Sequence, residues 1–137
     1  MIYLRNADCL EAMRDIPDGS VDMVVTSPPY DELRSYGASY TGFNFYRVAD
    51  QLARVIKAGG VIVWNVNDQT VKGSETGTSF RQALYFVDHC GLNLHDTMIW
   101  QKSNFSNPSS TRYHQTFEYM FILSKGKPLT FNPIKDR

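Results

Sequence analysis

The sequence is poor in the features that usually settle a protein's class. It has only two cysteines, Cys9 and Cys90, without metal-ligand spacing. That excludes a disulfide-stapled scaffold and a cysteine-built metal centre, and it reads as reduced thiols in a cytoplasmic protein. No apolar run approaches the roughly 20 residues of a membrane span; the longest, "VDMVVT" and "VIVWNV", are strand-sized. The start, "MIYLRNADCL", lacks a basic segment followed by an apolar one, so no secretion signal is expected. Repeats and low-complexity tracts are missing, which removes solenoids and disordered linkers from consideration.

Net charge is absent too, at +0, but the balance is uneven. Residues 1–100 carry 8 Lys/Arg against 12 Asp/Glu, and residues 101–137 carry 6 against 2, so −4 is followed by +4. The C-terminal third is either a mixed solvated surface or the side that faces a polyanion.

What is present fits one domain, since 137 residues suffice for one core and are too few for two. "ADCLEAMRDIP" predicts a short helix ending before Pro17, and "GSVDMVVTS" a nearly continuous apolar strand of the kind buried in a parallel sheet. "DELRSYGASYTGF" reads as a mobile loop. Val48, Leu52, Val55 and Ile56 share one helical face and predict a helix ending at Gly59-Gly60. "VIVWNV" is a second buried strand and "DQTVKGSETGT" a loop. Phe80, Ala83, Leu84 and Val87 mark another amphipathic helix, ending near Gly91. Alternating strands and helices predict an α/β sheet, mostly parallel with right-handed crossovers. "LHDTMIWQK" and "FEYMFILSK", with no helix between them, add an antiparallel hairpin at one edge.

In an open α/β sheet, ligands bind beyond the carboxyl ends of the strands. The first strand ends there in "TSPPY", Thr26 to Tyr30, and the second in Asn65, Asn67 and Asp68. Two consecutive prolines lock two φ angles, remove two donors and push Ser27 towards an extended conformation. Such a segment is either a rigid exit from the sheet or a fixed array of acceptors facing a ligand.

The chain resembles the amino-methylating DNA methyltransferases, which modify cytosine N4 or adenine N6. "NADCLEAMRDIPDGSVDMVVTSPPY", "LARVIKAGGVIVWNV" and "IWQKSNFSNPSSTRYHQTFEYMFILSKG" stand in the order of the permuted subgroup that begins with its catalytic motif. The resemblance implies a Rossmann-like class I methyltransferase sheet, with residues 1–127 as the catalytic half of the domain. Residues 128–137 would then be a tail or the start of a recognition region. It also implies S-adenosylmethionine as cofactor, no metal, and double-stranded DNA with a flipped target base as partner.

On this resemblance Ser27, Pro28, Pro29 and Tyr30 are catalytic. The Ser27 hydroxyl and Pro28 carbonyl would accept from the target amine, the prolines would hold them in place, and Tyr30 would stack on the base. Asp8 and Cys9, with Thr26 and Ser27, would bind the cofactor: the Asp8 carboxylate accepts from its adenine amine and the Cys9 amide donates to the ring. Phe117 would line the base pocket, and Lys102, Arg112 and Lys125 would touch phosphates. Each has a plainer alternative. Ser27 could be a strand-ending serine, Asp8 a helix cap, Tyr30 and Phe117 core aromatics, and the three cations solvated charges. His89 and His114 are assigned no role. Serine at the first motif position points to cytosine N4, since adenine enzymes of this family usually carry a carboxylate there.

One expected element is missing: the phenylalanine-glycine-x-glycine turn that holds the methionine part of the cofactor. "GSETG" follows a loop and does not replace it. The chain therefore reads as a catalytic half, completed by a homodimer partner or by a second polypeptide carrying the cofactor half. The alternatives are a truncated remnant or a non-catalytic DNA-binding or interaction subunit. An open strand edge and an uncovered apolar face are expected of any such half-sheet.

Overall fold

The computed structural model describes residues 1–29, 42–105 and 108–135. Tyr30 and most of the segment read as a loop, residues 31–41, lie outside them. The elements run α1 (Cys9–Met13), β1 (Val21–Thr26), α2 (Phe45–Val55), β2 (Ile56–Val66), β3 (Thr70–Val71), β4 (Ser74–Glu75), α3 (Thr78–Asp88), β5 (Asn93–Gln101) and β6 (Phe117–Ser124).

Local chemistry explains the boundaries. The Asp8 carboxylate starts α1 by accepting from the amides of Leu10 and Glu11. Asn44 does the same for α2 through the amide of Arg47, at 3.1 Å. The second helix ends earlier than its apolar spacing predicts. It stops at Val55, and Ile56, still buried, is already in β2. Lys125 makes this abrupt change possible, since its ammonium donates to the carbonyls of Ala53 and Ile56 at 2.8 and 3.1 Å. Gly59-Gly60, expected to close the helix, instead lies within β2 at a register shift: Val21 faces Ile56, yet Met23 faces Val61. Gly59 has φ +78°, and the Leu129 side chain fills the place where its Cβ would be. Around Leu129 the chain is thus folded back on β2, with the Leu129 amide bonded to the Gly59 carbonyl.

The third helix is rotated from the expected face. Ser79, Gln82, Ala83 and Phe86 are buried, while Phe80 and Leu84 are exposed. Polar residues hold the inner positions because each has a partner there. The Asp68 carboxylate accepts from the Ser79 amide and hydroxyl at 2.8 and 2.5 Å, and Gln82 accepts from the Trp64 indole at 2.9 Å. Within the expected loop 68–78, β3 and β4 form a small hairpin whose turn residues Lys72 and Gly73 both have positive φ.

The sheet has four strands in the order β1-β2-β6-β5. The β5–β6 hairpin forms as expected, but the sheet is mixed rather than mostly parallel. Only β1 and β2 pair in parallel; β2–β6 and β6–β5 are antiparallel. The cause is that β6 inserts between β2 and β5, so the hairpin occupies half of the sheet instead of its margin. All three helices contribute to one apolar cluster with Ile62, Trp64, Val66, Phe121 and Leu123, alternate residues of β2 and β6 on the same face. Replacing Gln82 by leucine leaves the buried Trp64 N–H without an acceptor, so Gln82→Leu should cost about 1–3 kcal/mol. A lowered urea midpoint with unchanged slope is the expected reading; an unmoved midpoint would show that this bond holds nothing together.

Candidate active site

β1 and β2 run in parallel, so their carboxyl ends emerge together, and β5, antiparallel to β6, ends on the same side. At the end of β1, Thr26 is half-buried, the Ser27 side is exposed, Pro28 is buried and Pro29 half-buried. A stiff segment is thereby anchored by its prolines with the serine held at the surface.

Beneath it lies a cavity of about 310 Å³ between the strand end, α1 and α2. Its wall includes Thr26, Ser27, Pro28 and Pro29, Cys9 and Met13 of α1, Val48 and Leu52 of α2, Phe43 and Trp64. Four of the residues expected around the motif and Cys9 are thus brought to one concavity. Its size is at the lower end of small-molecule sites. Among the described residues the lining is chiefly apolar, with a hydroxyl or thiol from Thr26, Ser27 and Cys9, and includes no charged side chain. These residues suit a flat heteroaromatic ring and offer no charge to a zwitterionic amino-acid group.

Asp8 stands beside it, at the start of α1. Both capping bonds fall on Oδ1, at 2.9 and 3.3 Å, so the capping role is real and occupies one oxygen of the carboxylate. Partial desolvation, reinforced by the Asp8 charge, pushes the Cys9 thiol above its ordinary value.

Phe43 and Trp64 were not anticipated as site residues. Phe43 immediately precedes the capping Asn44 and shares the cavity wall with Val48, four positions inside the helix. That is the spacing of a hydrophobic staple, a signal legible in "FNFYRV". Trp64 is oriented by its bond to Gln82, which no local pattern reveals.

Lys102, Arg112 and Phe117 lie at the same end of the sheet but not on the cavity, whereas Lys125, expected to touch phosphates, follows the end of antiparallel β6 and so stands at the opposite end, beside Gly60. Lys102, just past β5, is three strands from Thr26, about 14 Å by strand spacing. Its ammonium pairs with Glu118 at 3.1 Å, and Glu118 also accepts from Asn65 at 2.7 Å. Arg112 donates to the Gly73 carbonyl of the β3–β4 turn, and Lys125 caps α2. Phe117 meets Tyr119 edge-on at 5.4 Å, and Tyr119 stacks on Phe121 at 5.6 Å, a row on the helix-covered face. Asn67 and Asp68 are likewise engaged in bonds within the fold. Among the described residues no cluster of His, Cys, Asp or Glu could hold a metal ion, and no helix is long and apolar enough to cross a membrane.

Both cysteines should alkylate slowly at neutral pH. Burial, then the charge and hydrogen bond of Asp50, pushes Cys90 up to about 11 from 9.0. At pH 8 its thiolate fraction is therefore about 100-fold below that of an ordinary thiol. Peptide mapping after iodoacetamide treatment should show modification of Cys90 rising only above pH 10, and Cys9 rising later than free cysteine. Half-maximal reaction of either near pH 8 would contradict these environments.

Comparison with known proteins accords with this geometry. A profile of the DNA methylase family, covering N6 and N4 enzymes, matches residues 21–136. The orphan methyltransferase M.BamHII of Bacillus amyloliquefaciens is 58% identical over 123 residues, spanning 90% of this chain and 45% of that protein. The type II methyltransferase M.BglII of Bacillus subtilis is 38% identical over 135 residues, 86% of this chain and 36% of that one. Among solved structures, the cytosine-N4-specific PvuII DNA methyltransferase superposes with TM-score 0.72 at 21% identity, over 89% of this chain and 49% of its own. The M1.HpyAVI–SAM complex superposes at 0.68 and 21%, over 100% and 62%. The chain thus spans less than half the length of these curated relatives. With the profile extending over most of its residues, this chain belongs to the N6/N4 DNA methylase family.

Proposed function

We propose that this chain is the catalytic part of an S-adenosylmethionine-dependent DNA amino-methyltransferase, acting at cytosine N4 in preference to adenine N6. The observation that carries this reading is the Thr26–Pro29 segment: an acceptor-bearing strand end, fixed by two anchored prolines, on the wall of an apolar cavity.

An exocyclic amine is a poor nucleophile because its lone pair is delocalised into the base ring. The Ser27 hydroxyl and the Pro28 carbonyl accept from its two N–H groups, favour a pyramidal nitrogen and localise that lone pair. Because Pro28 and Pro29 fix these acceptors beforehand, little reorganisation remains for the reaction. Tyr30, directly after them, stacks on the base once it has left the duplex. Serine at position 27 supports cytosine, as does the likeness to an enzyme named cytosine-N4-specific.

The cavity wall fits the adenine end of the cofactor, which supplies an electrophilic methyl group when bound. Asp8 holds the adenine amine with the oxygen not used most directly for capping, and the Cys9 amide donates to the ring. The raised Cys9 thiol stays protonated and therefore inert beside an alkylating group. Thr26 contributes to the same wall. Lys102, Arg112 and Phe117 lie at the DNA-facing end of the sheet; exchange of Lys102 and Arg112 from their present partners to phosphates would accompany DNA binding. This placement supports a protein working on double-stranded DNA.

A second reading, a non-catalytic DNA-binding or interaction subunit, is supported by the apolar character of the described cavity lining, which offers the amino-acid end of the cofactor no charged partner. Calorimetric titration with S-adenosylmethionine, followed by transfer of labelled methyl to duplex DNA, separates the two. The assay is run with the chain alone and with the non-matching half of M.BamHII added. The catalytic reading expects transfer in at least one condition, reduced about 100-fold by Ser27→Ala with cofactor binding unchanged. Salt-dependent DNA binding without transfer in either condition, indifferent to position 27, would establish the second reading instead.

A further inference from the structure

One stretch of the chain combines positive charge with exposed rings. Residues 102–116, joining β5 to β6, hold Lys102 and Arg112, the rings of Phe105, Tyr113 and His114, and no Asp or Glu. The two ends of this connection are joined by the Lys102 amide and the Thr116 carbonyl at 2.7 Å, at the rim where β1 and β2 also end. Within it Tyr113 is fully exposed, at 103%. A lone exposed ring is ordinary, but both neighbours of this one are anchored. Arg112 donates to the Gly73 carbonyl of the β3–β4 turn. His114 stacks on Phe105 with ring centres 3.8 Å apart, and its Nε2 accepts from the Ser109 amide at 3.3 Å. The Ser109 hydroxyl in turn accepts from the Thr111 amide at 3.2 Å. Tyr113 is thus a bare aromatic ring held out from a braced backbone.

We infer that Tyr113 stacks on a nucleobase of duplex DNA that becomes exposed when a neighbouring base leaves the helix. This role rests on the methylase reading, which needs such a departure to bring an exocyclic amine to Ser27. It adds the residue that occupies the opened stack: Tyr30 takes the departed base, Tyr113 the gap left behind. Stacking on an aromatic ring accepts any base, because each has a π-face, so it requires no recognition sequence. The bracing matters, since a ring already held out loses little freedom when it stacks. Position also fits. β6 and β5 lie two and three strand spacings from β1, which roots the connection about 10–14 Å from Thr26. A major groove is about 12 Å wide, so one duplex spans both. Charge favours nucleic acid over an apolar protein partner: Arg112 adjoins the ring, Lys102 stands in the same connection, and residues 101–137 carry 6 Lys/Arg against 2 Asp/Glu.

Fluorescence anisotropy of the 137-residue chain on two labelled duplexes, one intact and one with a single central abasic site, tests this role. The wild-type chain should favour the opened duplex about 10-fold. Tyr113→Ala should abolish that preference and Tyr113→Phe should keep it, with circular dichroism unchanged in both because the ring is fully exposed. Affinity for the intact duplex and its salt dependence should be equal in all three, since the phenol neutralises no phosphate. Iododeoxyuridine placed beside the abasic site should photocrosslink to the peptide that contains Tyr113. Equal affinity for the two duplexes, binding to neither, or a preference that survives Tyr113→Ala would overturn the inference. So would a preference lost in Tyr113→Phe as well, which would assign the effect to the hydroxyl instead of the ring. Methyl transfer fails separately: a Tyr113-dependent preference without transfer in either condition of the labelled-methyl assay counts against the catalytic reading alone.

Discussion

β2 has a parallel neighbour on one side and an antiparallel neighbour on the other, and most of this structure depends on that double pairing. The parallel partner brings the end of β1 level with the end of β2. The antiparallel partner β6 returns β5 in the direction of β2, so that three strand ends open on one side. Thr26, Val66 and Gln101 therefore mark one rim although they are far apart in sequence. Alternate residues of β2 also build the core, with Trp64 flanked by Ile62 and Val66. Displacing β2 would disperse the rim and open the core together.

Trp64 links these two roles. Its indole is buried against Phe86 at 5.2 Å and Phe45 at 5.8 Å, while part of the ring lines the cavity below the proline pair. Gln82 fixes its N–H, and Asp68 fixes the start of the helix that carries Gln82. The wall of the site is thus continuous with the most tightly packed part of the domain. Preorganisation of Pro28 and Pro29 has a solid base: their own ring constraints above and aromatic packing beneath.

What was legible in the sequence follows from how local its causes are. The strands of "VDMVVT" and "VIVWNV", the terminal hairpin and the acceptor motif at the strand end are written in neighbouring residues, and they stand where periodicity and proline chemistry place them. The family likewise follows from motif order. Long-range contacts were not legible. Lys125 reaches back 72 positions to Ala53 and 69 to Ile56 to end α2, which no helix-stop rule near Ile56 announces. Phe80 and Leu84 look like an inner face, but Asp68 and Trp64 turn Ser79 and Gln82 inward instead. Insertion of β6 between β2 and β5 is a choice among topologies, and strand patterns alone left it open. Lys102 and Arg112 read as free cations because nothing nearby in sequence reveals Glu118 or the Gly73 carbonyl as partners.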